Sequence, residues 1–435
     1  MKNENLEQWL PCQSYCQMNG AAAAVLSFKN TTVVLNGPSW CSLVVERELM
    51  SCNRTLQHRL YCSHVEQADL LFGTGDRIRE ILDVQKQENP DTGLLAVLTS
   101  CSVGLIGDDV SGIVSTLERP YPVIALDTGG LTGLFEEGYQ TAMTAIIDKM
   151  DLQKCAERHP KRVNLLGCCS YYPDSSGDLA ELKRLLTEAG FEVGVCPGEQ
   201  GLDLKELQNI PLAALNIVLA PELGLQTAKR LKEKTGQDYA VLPIPYGLKQ
   251  TMDWVQKIGE NLSVMPDLKK LEQEACVVRE NVGEEVDALK RMIANLTFKQ
   301  AILALPYTQA KALADALQHE ILEVENIIYQ IQGNYMGEDG RQNHDNCGPL
   351  HPKAPDESDT RLPFDIRLLF GTFADRVRTG GYAHTIYFNM YKADGLLRRK
   401  YRTFAGIEGW GCLIHEIVEQ TLTLYFIREE RRPSL

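Results

Sequence analysis

Short apolar runs that end in glycine, proline or cysteine recur along the chain, each followed by a stretch of helical character. That alternation restricts the fold to mainly parallel sheets wound with crossover helices, an α/β class. Three blocks carry it. In the first, "TTVVLNGPSWC" (31–41), "ADLLFGTG" (68–75), "GLLAVLTSC" (93–101) and "YPVIALDTGG" (121–130) each read as a strand opening into a loop. The second runs from "RVNLLGCC" (162–169) through the amphipathic "GDLAELKRLLTEAGFEV" (177–193) to "ALNIVLA" (214–220), a lysine-rich helix and "YAVLPIPYG" (239–247), a βαβαβ pattern. A polar-faced helical stretch over about 267–295 leads to the third block, with strands expected in "KQAILALP" (299–306), "HEILEVENIIYQ" (319–330), "IRLLFGTF" (366–373) and "HTIYFNMY" (384–391) and a last helix from about Trp410. Residues 333–363 are rich in Gly, Pro, Asn and Asp and read as a long loop. No short-period repeat is visible, but three units of similar size are candidates for distant structural copies.

Composition narrows the function. With 435 residues, 44% of them hydrophobic, the chain can bury substantial cores. A net charge of −14 with no basic tract argues against nucleic acid and against anionic membrane as partners. The segment "MKNENLEQWLPCQSYC" has no apolar signal core, and no apolar run approaches the length that spans a bilayer, so a cytoplasmic location is expected. In that compartment thirteen cysteines are not a disulfide framework. Metal or iron–sulfur ligation becomes the leading use for some of them, and burial as small hydrophobes the use of the rest.

Ligands of a doubly wound sheet gather outside the carboxyl ends of its strands. Cys41 and Cys101 sit there, and Cys16 lies in the segment feeding the first strand. Gly20, Gly37, Gly104 and Gly107 lie near them in sequence, and small residues let backbone N–H groups approach a bulky cluster. A cubane offers one site per iron, so three cysteines leave one site for another residue or another chain. No CxxC pair marks the set, and spacing alone is a weak signal.

Five segments in this order, "CQMNGAAAAV" (16–25), "VLNGPSWC" (34–41), "RLYCSHVEQADLLFGTGDRIREIL" (59–82), "TSCSVGLIGDDVSGIV" (99–114) and "IALDTGGLTGLFEEGYQTAMTAI" (124–146), resemble the nitrogenase component 1 family. That family includes nitrogenase's catalytic subunits, its cofactor-assembly scaffold, dark-operative protochlorophyllide reductase and the nickel-tetrapyrrole reductive cyclase. The resemblance thins after residue 150, continuing through "NLLG", "LPIPYG" and "FAGIEGWGCLIHEIVEQ" (404–420). It implies three Rossmann-like domains, dividing here as 1–155, 156–295 and 296–435. It also implies pairing with a paralogous subunit or a second copy, as a dimer or tetramer, and an iron–sulfur cluster at the subunit interface, of [4Fe–4S] or larger P-cluster type. Carried over by position, its ligands are Cys16, Cys41 and Cys101. The electrons would come from a separate homodimeric, ATP-hydrolysing iron–sulfur reductase. This agrees with the lack of a P-loop motif in the chain. The implied role is a redox subunit that relays electrons to a substrate or metallocofactor; the alternative within the family is a cluster-assembly scaffold.

The chain departs from the pattern at several places. Trp40 precedes Cys41 where many relatives have glycine, and Ser102 replaces a proline of nitrogenase's α subunit. Ala220 aligns with that subunit's cofactor-binding cysteine and no histidine lies around Leu396, so an additional metallocluster would belong to a partner subunit. Other candidates carry plain alternatives. His344, Cys347 and His351 have ligand-like spacing but read more simply as loop residues. Cys168 and Cys169 could line a pocket or be buried thiols, and Cys12, Cys52 and Cys62 are weaker ligand candidates than the aligned three. Asp108 and Asp109 read as helix caps and loop organisers, Glu66, Asp69 and Arg77 as surface or interface charges, and His64 and His415 as structural histidines.

Overall fold

The computed structural model describes residues 16–50, 58–131, 133–152, 154–155, 157–170, 172, 175–330, 364–378, 384–390 and 403–430. The chain divides into two compact units, one built of Ser14–Tyr172 with Glu192–Leu242, the other of Pro173–Phe191 with Pro243–Leu435.

The first unit opens with helix α1 (Gln17–Leu26), strand β1 (Thr31–Asn36), helix α2 (Ser39–Met50) and strand β2 (Leu60–Cys62). Helices α3 (Gln67–Phe72) and α4 (Gly75–Glu88) lead to β3 (Leu94–Thr99), and α5 (Cys101–Ile106) and α6 (Val110–Ser115) lead to β4 (Val123–Asp127) and α7 (Phe135–Lys149). The strands pair in parallel in the order β2-β1-β3-β4. Both central strands are buried at every position, which is why they read as unbroken apolar runs. Val33, Leu35, Ala96 and Leu98 enter one hydrophobic cluster, while Val34, Leu95 and Val97 enter a second on the opposite face. A second sheet in this unit comprises β5 (His159–Leu166), β6 (Glu192–Val193), β7 (Ala213–Val218) and β8 (Asp238–Val241), again parallel, in the order β6-β5-β7-β8. Helix α8 (Ser175–Glu188) follows β5 in sequence and belongs to the other unit; α9 (Pro221–Thr235) follows β7.

The other unit holds α10 (Leu248–Leu262), α11 (Lys269–Met292), β9 (Leu296–Leu303), α12 (Tyr307–His319), β10 (Asn326–Tyr329), β11 (Phe364–Gly371), α13 (Phe373–Arg378), β12 (Thr385–Asn389) and α14 (Gly406–Glu430). Its strands are parallel in the order β10-β9-β11-β12. The same order occurs in all three sheets, so the three blocks are structural copies in strand order. In each, the strand order reverses between the two central strands, and the carboxyl ends of strands at such a point are where ligands of these sheets gather. The start of α14 is anchored by Asp178 of α8, a buried carboxylate that accepts the backbone N–H of Phe404 at 3.0 Å and of Ala405 at 3.1 Å and the Thr403 hydroxyl at 2.9 Å.

One expected strand is a helix. "ADLLFGTG" was expected to pair in the first sheet, but Gln67–Phe72 is α3, and the strand is the three-residue "LYC" of β2. A reciprocal cap starts α3, with the Glu66 N–H donating to the Asp69 carboxylate at 2.8 Å. Leu70 packs on the core, but its next two apolar residues face outward, Leu71 at 79% and Phe72 at 89% exposure.

Candidate iron–sulfur site

Cys41 and Cys101 flank the point where the first sheet reverses its order. Cys41 lies in the first turn of α2, just past β1, and its N–H donates to the Pro38 carbonyl at 3.0 Å. Cys101 opens α5 directly after β3. The two loops touch: the Ser100 N–H donates to the Asn36 carbonyl at 3.0 Å, and a Cβ on Gly37 would stand 2.6 Å from that of Ser100. Beneath them runs a chain of buried polar groups. The Gly37 N–H donates to the Ser63 hydroxyl at 3.1 Å, that hydroxyl to Asn36 Oδ1 at 3.0 Å, Asn36 Nδ2 to the Thr74 hydroxyl at 2.9 Å, and the Thr74 hydroxyl to Asp108 at 2.6 Å. Each loop is therefore held by partners outside itself, which fixes where its thiol points.

Cys16 reaches the same place from a different element. It is the N-cap of α1 and pairs with Leu134 in an isolated antiparallel bridge. Helix α1 is buried at all ten positions and lies against α7 at backbone contact distance. Gly20 and Gly138 make this approach possible: a Cβ on Gly20 would fall 1.8 Å from the Phe135 carbonyl oxygen, and one on Gly138 1.8 Å from that of Gln17. Between Cys16 and Cys101 lies the bare Cα of Gly130, where a Cβ would stand 2.8 Å from Cys16 Cβ and 3.7 Å from Cys101 Sγ. The Gly130 N–H donates to Cys101 Sγ at 2.9 Å.

The third thiol feels the other two. Burial pushes the Cys41 thiol up to about 11, and the sulfurs of Cys16, Cys101 and Cys62 add to the shift because each opposes a further negative charge nearby. Cys62, at the end of β2, is buried, receives the His64 N–H at 3.4 Å and donates to the Gly37 carbonyl at 3.4 Å; burial raises its pKa as well. A cation among these sulfurs reverses the electrostatic cost, since it favours the thiolate at each.

Thus the structure gathers Cys16, Cys41 and Cys101, with Cys62 behind Cys41. The glycines are a different matter. Gly20 serves the α1–α7 contact, Gly37 faces Ser100, Gly104 faces Asp127, and Gly107 is the left-handed cap of α5 with nothing within 4 Å of its Cβ position. The glycines at the thiols are Gly129 and Gly130, whose signal was the Gly-Gly step after "IALDT". Asp109 caps α6 by accepting the Gly112 N–H at 2.8 Å, and Asp108 ties the α5 loop to Thr74, so both organise loops as expected. Arg77 pairs with Glu66 and Asp69, His64 bonds Ser39 at 2.8 Å, and His415 pairs with Glu285 at 3.0 Å. Cys168 and Cys169 are buried after β5. Ala220 is the buried N-cap of α9, its backbone within 3 Å of the place a Gly167 Cβ would occupy. His344, Cys347, His351, Leu396, Cys12 and Cys52 lie outside the described residues.

Among the described residues no three His, Cys, Asp or Glu side chains converge on one point as a single ion would require. A polynuclear cluster makes a different demand, one thiolate per iron with N–H donors to sulfur. Two thiols at a glycine pair that no Cβ obstructs, one of them taking an N–H bond, with a third thiol near enough to feel their charge, fit that demand.

The architecture and site define a class: parallel α/β sheets with cysteines converging at a topological switch point. The chain belongs to the nitrogenase component 1 type oxidoreductase family, whose model matches residues 16–345. It is 26% identical over 268 residues to the nitrogenase vanadium-iron protein beta chain of Trichormus variabilis, covering 56% of each chain. It is 26% identical over 255 residues to a light-independent protochlorophyllide reductase subunit from Chlorobium phaeobacteroides, covering 58% of this chain and 47% of that one. The nitrogenase iron-molybdenum cofactor biosynthesis protein NifE of Clostridium pasteurianum matches at 24% over 281 residues, covering 63% of this chain and 59% of that one. The chain thus spans about half the length of these curated relatives. The solved structure of nitrogenase Cp1 at pH 5 shares the fold, with a TM-score of 0.68 at 17% identity over 97% of this chain and 90% of that one. Among the described residues no helix is long and apolar enough to cross a membrane.

Proposed function

We propose that this chain is a redox subunit of a nitrogenase-like reductase complex, holding with a partner chain an iron–sulfur cluster through Cys16, Cys41 and Cys101. The observation that carries the reading is that Cys16 and Cys101 flank Gly130, while Cys41, from a third element, is close enough to both for their charges to raise its pKa. The apolar surface next to them supports a shared cluster. Trp40 beside Cys41, Leu105 on the helix begun by Cys101, Leu131 beside Gly130, and Leu71 and Phe72 on α3, which packs on α5, are all exposed. Large apolar side chains grouped at the mouth of a site mark a protein interface. The chemistry this group supplies is one-electron transfer. The chain's own part is to hold iron by thiolate, to donate the Gly130 N–H to sulfur, and to exclude water with the partner, which together set the reduction potential. Electrons arrive from a separate ATP-hydrolysing iron–sulfur reductase and leave to a substrate or metallocofactor held with the partner chain.

The likeness to NifE favours one second reading, a scaffold that builds and hands on a metallocluster. Multiple-turnover reduction of a substrate supports the redox subunit; transfer of a bound precursor to an apo-enzyme supports the scaffold. The direct test of both is iron and acid-labile sulfide, with a paramagnetic resonance spectrum, on protein purified without oxygen together with any co-purifying chain. About four irons per pair of chains are expected for one shared cubane, and Cys101→Ala is expected to lose them. Full iron and sulfide in Cys101→Ala would refute the ligand assignment.

A further inference from the structure

At the reversal point of the second sheet, between β5 and β7, two glutamates from different helices meet over one phenol. Glu136 is in the first turn of α7 and Glu222 in the first turn of α9; both are 7% exposed. Tyr172, in the loop after β5, places its hydroxyl 3.3 Å from Glu136 Oε1 and 3.3 Å from Glu222 Oε1. A phenol has a single hydrogen, so it can donate to only one of the two oxygens. The second contact becomes a hydrogen bond only if that carboxyl is protonated and donates to the phenol oxygen. Two buried carboxylates meeting over one phenol oppose each other's charge, and the charge of Glu222 raises the pKa of the Glu136 carboxyl.

We infer that Glu136, Tyr172 and Glu222 form a buried proton site, in which the two carboxyls hold one proton between them through the Tyr172 hydroxyl and take up a second when an electron is added to the thiol centre. Among the described residues the surroundings agree. Glu137 lies on α7 itself, α1 carries no titratable side chain, and the loop of Tyr172 brings the buried thiols of Cys168 and Cys169. β4 offers only Asp127 at its far end, beside Gly104. On α9 the cations lie toward the other end, where Arg230 pairs with Asp148 and Glu233, Lys232 with Asp238, and Lys234 with the carbonyls of residues 147, 148 and 150. Burial, then the charges of Glu222 and Glu137, push the Glu136 carboxyl up to about 7. Position links the site to the thiols: Glu136 stands two residues past Leu134, the bridge partner of Cys16. The balance is one electron from an external one-electron donor and one proton from water, leaving the net charge of the unit unchanged.

The electron-coupled half rests on the iron–sulfur reading; the proton site does not. Infrared spectra of the iron-free chain at pH 7 are expected to show the C=O stretch of a buried protonated carboxyl, shifted in D2O and lost in both Glu136→Gln and Glu222→Gln. Gln preserves shape and hydrogen bonding, and unchanged near-ultraviolet dichroism checks the fold. Absence of the band from the wild type, or its survival in both variants, overturns the proton site. On the iron-loaded protein, a midpoint potential that falls as pH rises in the wild type but is flat in Glu136→Gln supports the coupling. A pH-independent wild-type potential overturns it. Failure to bind iron removes the cluster reading and the coupling together, while the infrared band still decides the proton site.

Discussion

The contact between α1 and α7 positions Cys16, and it can be tested with a single methyl group. Gly138→Ala puts a Cβ 1.8 Å from the Gln17 carbonyl oxygen, whereas real Cβ contacts do not fall under 3.0 Å. Relief requires the helices to part by about 1.2 Å, the difference of those distances, and no side-chain rotation can supply it because the obstructing atom is backbone. All ten residues of α1 are buried, so the movement strains its packing on β1 and β3 while opening a gap along α7. Overpacking of this kind costs about 3 kcal/mol at the upper end of its usual range. Alanine returns about 1 kcal/mol through helix propensity, leaving a net loss of about 2 kcal/mol. Gly283→Ala is the control: Gly283 is inside α11, a Cβ there meets nothing within 4 Å, and only the propensity gain of about 1 kcal/mol remains. Urea unfolding followed separately for each unit should therefore show opposite signs for the same chemical change. Because Cys16 caps α1, Gly138→Ala should also lower iron content after reconstitution. A Gly138→Ala variant as stable as the wild type, with full iron, would refute both the close contact and its role in placing the thiol.

Three further outcomes follow from the same physical chemistry. Asp178→Ala removes the acceptor for the Phe404 and Ala405 N–H groups, and two stranded buried amides at about 1–3 kcal/mol each should destabilise the second unit by at least about 2 kcal/mol in urea melts. Raising the Glu136 carboxyl from 4.5 to about 7 means the folded chain binds more protons than the unfolded one between those values. Its contribution is full below pH 4.5 and is lost as pH rises through 7, by about 3 kcal/mol, a dependence that melts from pH 4.5 to 8 should show and Glu136→Gln should flatten. With its thiol pushed to about 11, Cys41 must release a proton to bind iron, so iron-free protein should alkylate slowly at Cys41 at pH 8 and iron affinity should rise with pH; fast alkylation at that residue would contradict the burial.

What the sequence revealed depended on whether a residue's environment is set by its neighbours in the chain. "TTVVLN" and "LLAVLT" announce themselves because both faces of β1 and β3 are covered, so every position is apolar. The positions of Cys41 and Cys101 past their carboxyl ends were legible for the same reason, since the end of each apolar run marks where the strand gives way to a loop. "ADLLF" has the same apolar character as a strand, and nothing local says that Leu71 and Phe72 point outward; exposed apolar groups of this kind commonly mark interaction surfaces, which a single chain's sequence does not display. Gly20 could be read as serving the cluster only until Phe135, more than a hundred residues on, proved to be the group that crowds it.

"FEEGYQ" shows the same limit more sharply. Glu136 and Glu137 are adjacent acidic residues in the first turn of a helix, a pattern that ordinarily means solvated charge favoured by the helix dipole. Glu137 keeps to it by returning its carboxylate to the Leu134 N–H at 2.9 Å, while Glu136, rotated by one residue, enters the interior and meets Glu222 and Tyr172. The helix dipole offsets part of the cost of a carboxylate at either position, by about 1 kcal/mol, whereas burying one costs several. At Glu136 burial therefore outweighs the dipole, and a residue that reads as a surface charge becomes a group poised to bind a proton near neutral pH.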